Sequence, residues 1–276
     1  MENEMTQKLN WEVELRPINY AGKKNTDRYA LVRTDTEKLI GIRSKNYHPV
    51  YNRDLELIKD KILKVGGFNF KGYQEFSGGK RILSFYENKR NDLTLCGQEV
   101  KDYLIIGNSH DTSSKLFVST SNYMFRCENQ FSEKIRSFEK RHNRPFNINE
   151  IRIEEIIHSY DEGRRNLYLK MERLKEVQVD MKLIQQLAIQ LLGTESRKEQ
   201  VNDRSQLKGN KQTILLLNCI EQEILDLGPT LWGVFNGVTR YTSNHLKGKP
   251  GFGVVNGKGE EMNRKAMGYL TSLKQL

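Results

Sequence analysis

The spacing of apolar residues changes character once along this chain, and that change limits the folds open to it. Before about residue 130 the pattern is alternation: in Trp11-Glu12-Val13-Glu14-Leu15 every second side chain is apolar, which suits a half-buried strand. Between Ile148 and Leu192 the interval becomes three, four or seven, as in Ile153, Ile157, Tyr160, Leu167, Met171 and Leu174, which marks one face of a long helix. Strands in one run and helices in the next give an α+β class, not a wound parallel sheet. The expected architecture is an antiparallel sheet with hairpins and one short helix, followed by a mostly helical C-terminal half. Residues 1–130 read as the strand-rich part and 131–276 as the helical part, packed with it as one domain.

Turn chemistry locates the hairpins. Thr34-Asp35-Thr36-Glu37 separates two strands, Tyr29–Arg33 and Lys38–Arg43. Ser77-Gly78-Gly79-Lys80 separates FNFKGYQEF from RILSFYEN, two aromatic-rich runs joined by a pair of glycines. Between these hairpins, Asn52 is placed to cap a helix with Leu55, Ile58, Ile62 and Val65 on its buried face, stopped at Gly66-Gly67. Further strands are expected at Thr94–Gly97 and Tyr103–Gly107. Asn108–Ser114 reads as a polar turn and Lys115–Cys127 as the last strand. Asn129 then starts a helix whose basic stripe runs to Pro145. Gly163 is the expected break or bend in the long helix. Thr194–Lys211 reads as a linker, Gln212–Leu227 and Thr230–Leu246 as helices, GKPGFGVVNGKGEE as a glycine-rich loop, and Glu261–Leu273 as a closing helix.

Several chemistries find no support in the residues. The three cysteines, Cys96, Cys127 and Cys219, form no CxxC pair, so reduced buried thiols are expected and not a zinc ribbon. The five histidines are scattered, without HxH or HExxH. No GxxxxGK[ST] is present, so no nucleotide-hydrolysing loop is expected, and no cofactor. No apolar run reaches the roughly 20 residues of a spanning helix. The N-terminus lacks a basic flank followed by an apolar stretch, so no membrane association and a cytoplasmic location are expected.

Two constellations remain. His110, with Ser113 or Cys127 as nucleophile, would suit a hydrolase if the fold brought them within hydrogen-bond reach. The competing reading takes Asn108–Ser114 as a turn whose Asn, Ser and Asp bond their own backbone. The second constellation follows from the net charge of +10. Cations interleave with aromatics on the second hairpin, and more follow close behind. Lys71, Lys80, Arg81, Lys89, Arg90, Arg126, Lys134, Arg136, Lys140 and Arg141 are the candidate nucleic-acid contacts, with aromatic side chains as stacking platforms.

The stretch LVRTDTEKLIGIRSKNYHPVYN resembles the opening motif of the phage- and plasmid-borne family catalogued as domain of unknown function 932, through Arg33-Asp35, Ile40-Gly41-Ile42 and Tyr47–Asn52. NSHDTSSKLFVSTSNYMFRCENQF is similar to its second motif, with Thr112 where Gly is usual and Gln130 where Thr is usual. TLWGVFNGVTRYTSNH is similar to the third, through Trp232, Asn236, Thr239, Tyr241 and His245. Strand–helix order and basic character are further similar to the RecT/Red-beta-like single-strand annealing superfamily. That resemblance implies a non-enzymatic protein that binds or anneals single-stranded DNA, or RNA, in recombination or replication, as a homo-oligomer. The alternative is an interaction module whose long helix, Ile148–Leu192, offers its apolar stripe as an oligomer seam.

Overall fold

A computed structural model gives the architecture, and it describes residues 5–90, 94–95, 98–124, 130–192, 211–246 and 252–273. Hairpins build the first sheet. β1 (Val13–Tyr20) turns at Ala21-Gly22 into β2 (Lys23–Arg33), which turns at 34–38 into β3 (Leu39–Ser44). The three strands pair antiparallel in chain order.

Helix α1 (Asn52–Val65) follows, but its cap is not the expected one. Tyr51 is the N-cap and Asn52 is already helical. The orphaned N–H groups of Asn52 and Arg53 donate to the carboxylate of Glu12, at 3.0 and 2.7 Å. A charge some forty residues upstream thus both satisfies the helix start and complements its dipole. The Asn52 side chain is thereby released for another role.

The second sheet has the order β4-β5-β7-β8-β9, with β6 paired on β7. Its strands are β4 (Phe68–Phe76), β5 (Arg81–Asn88), β6 (Thr94–Leu95), β7 (Gln98–Ser109), β8 (Leu116–Met124) and β9 (Gln130–Lys140). The Ser77–Lys80 hairpin therefore forms as read from the sequence. The polar turn begins two residues later than expected, at His110, because Asn108 and Ser109 pair with Ile82 and Arg81 of β5. The expected helix after Asn129 is instead strand β9. The described helices after it are α2 (Ile153–Lys175), α3 (Met181–Leu192), α4 (Lys211–Leu227), α5 (Leu231–Asn244), α6 (Phe252–Asn256) and α7 (Lys258–Ser272).

Three helical expectations need correction. Gly163 does not break the long helix; α2 runs through it. The break comes at 176–180, where Val179 N–H donates to the Pro229 carbonyl and Gln178 bridges to Thr230. Residues 252–260 are mostly helical, not a glycine-rich loop. The apolar stripe of the long helix is also no exposed seam. Ile153, Ile156, Ile157 and Tyr160 lie in one hydrophobic core, while Leu167, Met171, Leu174, Ile184 and Leu187 lie in another. The expected linker over 194–210 lies outside the described residues.

The chain divides into two compact units. The first comprises 1–91, 102–120 and 134–162; the second comprises 92–101, 121–133 and 163–276. The first is the β-rich one, with a core that includes Trp11, Leu31, Ile58, Tyr73, Tyr86 and Leu104. The second is mainly helical, with Leu217, Trp232, Phe235, Val238 and Leu270 at its centre. The surplus of Lys and Arg over Asp and Glu is shared about equally between the two units. Among the described residues no helix is long and apolar enough to cross a membrane. Cys219 is a buried free thiol; Cys96 and Cys127 lie outside the described residues.

Candidate functional site

Within the β-rich unit, three turns meet at one end. They are the β2–β3 turn at 34–38, the β4–β5 turn Ser77–Lys80 and the β7–β8 turn His110–Lys115. His110 N–H donates to the Lys80 carbonyl at 2.8 Å. The Arg81 guanidinium lies 3.3 Å from the Asp111 carboxylate and donates to the Ser113 hydroxyl at 2.8 Å. The Lys38 ammonium lies over Gly78, 2.9 Å from where a Cβ would stand. Strand β9 returns to the same end, because Lys115, just before β8, pairs with Glu139 near its close.

Backbone strain gathers here as well. Among the described residues four non-glycines have φ in the left-handed region, and three of them are one per turn: Glu37 at 57°, Ser77 at 55° and Thr112 at 60°. Each costs on the order of 1 kcal/mol or more and persists only where surroundings hold it. At Thr112 this φ is one that a glycine would adopt without strain.

A buried polar network holds the turns from beneath. The Asn52 amide NH2 donates to the Trp11 carbonyl at 2.8 Å, so its oxygen faces His110, 3.1 Å from Nε2. His110 therefore carries its ring hydrogen on Nε2 and donates it to Asn52. Its backbone oxygen accepts three hydrogen bonds: Arg43 Nη2 at 3.0 Å, Arg43 Nε at 3.2 Å and the Tyr47 hydroxyl at 3.3 Å. Gly41 leaves room for the Arg43 guanidinium, which would sit 2.8 Å from a Cβ at that strand position. Asn108 donates to the Val50 carbonyl at 3.0 Å. His142 stacks on Tyr47 with ring centroids 5.6 Å apart. The other side of the cluster is a cation–aromatic stack. Arg33 lies 3.9 Å over Trp11, and both bond Glu75, while Arg33 also grips Asp35. At Gly79, whose φ is +87°, a Cβ would come within 2.7 Å of Trp11, so glycine is required where the two sheets touch.

Burial sets the charge states. Desolvation lowers the His110 pKa to about 3 and that of His142 to about 4, with Arg43 adding to the effect on both. Both imidazoles are neutral at neutral pH. Asp111 keeps a carboxylate below its ordinary range: burial opposes ionisation, but hydrogen bonds from Ser113 and the charge of Arg81 outweigh it. Burial pushes the Tyr47 hydroxyl up to about 12, so it remains a donor.

The expected catalytic pairing does not form with Ser113. The His110 Nε2 hydrogen goes to Asn52, and the Ser113 oxygen receives Arg81. Cys127 lies outside the described residues. Among the described residues no group of three or more His, Cys, Asp or Glu is placed to hold a metal ion.

The candidate cations do not share one face. Lys80 and Arg81 stand at the turn end, and β9 brings Lys140 and Arg141 there; Lys140 is itself packed on Phe146 and paired with Glu150 at 3.3 Å. Lys89 and Arg90 sit at the opposite end of the hairpin, roughly 25 Å or more from Arg81, and Lys71 about 16 Å away, at about 3.3 Å per residue. There Lys71 pairs with Glu87 and Arg90 with Asp161, both at 3.2 Å. Lys134 and Arg136 are on β9, with side chains outside the described set, and Arg126 lies outside the described residues. The hairpin aromatics are not platforms: Tyr73, Phe76, Phe85 and Tyr86 are buried. Pulling one out would forfeit roughly 3 kcal/mol of burial, as much as a stacked base returns at best.

Sequence reading missed Lys38 and Lys115 at this end, and Arg43, Tyr47 and Asn52 beneath it. The signal that pointed to the latter three was the resemblance, since they lie in or beside its first motif. The comparisons agree with that signal. A family model described as "Domain of unknown function (DUF932)" matches residues 39–267. No curated protein and no solved structure matches the chain.

Proposed function

Because this chain belongs to the DUF932 family, whose description assigns no chemistry, we propose from its geometry that it binds nucleic acid, with single-stranded DNA the expected ligand, at the turn end of its β-rich unit. The observation that carries the proposal is the gathering of Lys38, Lys80 and Arg141 from separated stretches at the end where three turns meet, beside Arg81 and Lys115, which pair with Asp111 and Glu139. Lys38 and Arg141 are exposed there, and Lys80 is half-buried. Neutralising phosphates with such side chains releases counterions and makes binding salt-dependent. The rigid network beneath keeps the turns in place, which lowers the ordering cost on binding. The net charge of +10 favours a polyanionic partner in general. Homo-oligomerisation, a role in recombination or replication, a phage or plasmid setting and a cytoplasmic location belong to the same proposal.

The test is fluorescence anisotropy with a labelled oligonucleotide across a salt series. Lys38→Glu with Lys80→Glu and Arg141→Glu in one chain is expected to weaken binding at least tenfold. The slope of log K against log salt should flatten by about 0.7 for each phosphate no longer neutralised. Wild-type affinity in that triple variant, with its far-ultraviolet spectrum unchanged, refutes the site.

A further inference from the structure

We infer that this end of the molecule recognises the phosphate backbone and not the bases. The inference rests on the nucleic-acid reading above and narrows it. Base recognition by stacking needs an aromatic face open to solvent or to the ligand. The aromatic rings beneath the three turns have their faces taken by the protein itself. Trp11 is covered by Arg33 at 3.9 Å and met edge-on by His110 at 5.8 Å. Tyr47 carries His142 at 5.6 Å, and the Arg43 guanidinium lies 5.6 Å from the ring centre. Both rings are at least nine-tenths buried. The hairpin leading into the turns buries Phe68, Tyr73, Phe76, Phe85 and Tyr86, and its half-buried Phe70 packs on Tyr73 and Tyr86 with the Lys59 ammonium 5.2 Å from its ring centre. The turns leave at the surface the ammonium groups of Lys38 and Lys80, the guanidinium of Arg81 and the hydroxyls of Thr36, Ser77 and Thr112, beside the carboxylates of Asp35 and Glu37, which Arg33 and Arg16 pair.

Such a surface supplies point charges and short donors. It fits the anionic oxygens of a polyphosphate chain of any sequence. Three contacts, from Lys38, Lys80 and Arg141, with Arg81 held by Asp111 and Ser113, correspond to a slope of log K on log salt near −2 for a single strand, about a 20-fold loss between roughly 50 and 200 mM.

The experiment compares three probes on the full chain at about 50 mM salt. They are labelled oligothymidylate of about 20 nucleotides, an abasic strand of equal length, and inorganic polyphosphate as competitor. Backbone recognition predicts abasic binding within about threefold of oligothymidylate, and full displacement by polyphosphate. A loss of tenfold or more on removing the bases, the size expected for stacking, overturns the inference and leaves the nucleic-acid reading standing. Polyphosphate binding without oligothymidylate binding overturns the nucleic-acid reading and leaves phosphate recognition standing. Absence of binding to all three overturns both.

Discussion

Both units bury polar side chains that belong to the resembling family's motifs, but they satisfy them in opposite ways. In the helical unit the partners are local. Asn236 donates to the Trp232 carbonyl four residues back, Thr239 to that of Asn236 and Thr242 to that of Thr239. Reaches across helices supplement them, from Thr242 to Asn263 at 2.9 Å and from Arg240 to the buried Glu223, seventeen residues back, at 3.0 Å. In the β-rich unit the partners are remote in sequence: His110 with Asn52, Arg43 with His110, Asn108 with Val50, and Asn52 with Trp11. A polar residue that bonds its own helix supports that helix alone. One that bonds a strand sixty residues away fixes where two turns stand relative to each other. Long-range bonds of this kind give the turn end of the β-rich unit a fixed geometry.

Asn52 joins two of these long-range bonds. Asn52→Ala leaves both the His110 ring N–H and the Trp11 carbonyl without partners, and a loss of about 3 kcal/mol is expected from two unsatisfied buried groups. Thr239→Val removes only a bond to a helix carbonyl and should cost under about 1 kcal/mol. Urea denaturation of both variants checks this, and equal losses would erase the distinction drawn between the units. A pH series sharpens it next. His110 and His142 have folded-state pKa values below the unfolded value of about 6.5, so the unfolded chain takes up protons that the folded chain refuses. Their contribution is fully present above pH 6.5 and is lost as pH falls toward 4 and then 3. Between pH 6.5 and 5.5 the pair should cost about 2 kcal/mol. His142→Phe should remove about half of that slope. The smallest expected effect is favourable: Thr112→Gly relieves a left-handed φ and should stabilise by about 1 kcal/mol, read as a raised urea midpoint. No gain there would mean that the Thr112 hydroxyl, which donates to the Asp111 carbonyl at 2.7 Å, offsets the strain.

Legibility followed the range of the interactions. The hairpin of β4 and β5 was readable because Gly78-Gly79 and the flanking alternation act within a few residues. Strand β9 was not: Phe131, Ile135 and Phe138 stand four and three apart, a helical interval, and sheet pairing overrode it. The break between α2 and α3 was hidden for a similar reason, since Leu174 and Met181 are seven apart and the apolar rhythm runs straight across it. Helix α6 forms despite its glycine because Phe252 and Val255 bury three apart. Of the site, Lys80 and Arg81 were visible as turn cations. Their company was not, because Lys38, Lys80 and Arg141 are separated by forty residues or more. The burial of Tyr73, Phe76, Phe85 and Tyr86 was equally beyond alternation, since both faces of β5 are covered.

The carboxylate of Glu12 at the head of α1 couples two elements that are far apart in the chain. A helix of 14 residues is marginal in water by itself. This one has two first-turn N–H groups satisfied by a carboxylate some forty residues upstream, at the entry to the first three strands. Helix α1 therefore borrows part of its stability from the N-terminal sheet, and loosening that sheet would loosen the helix with it.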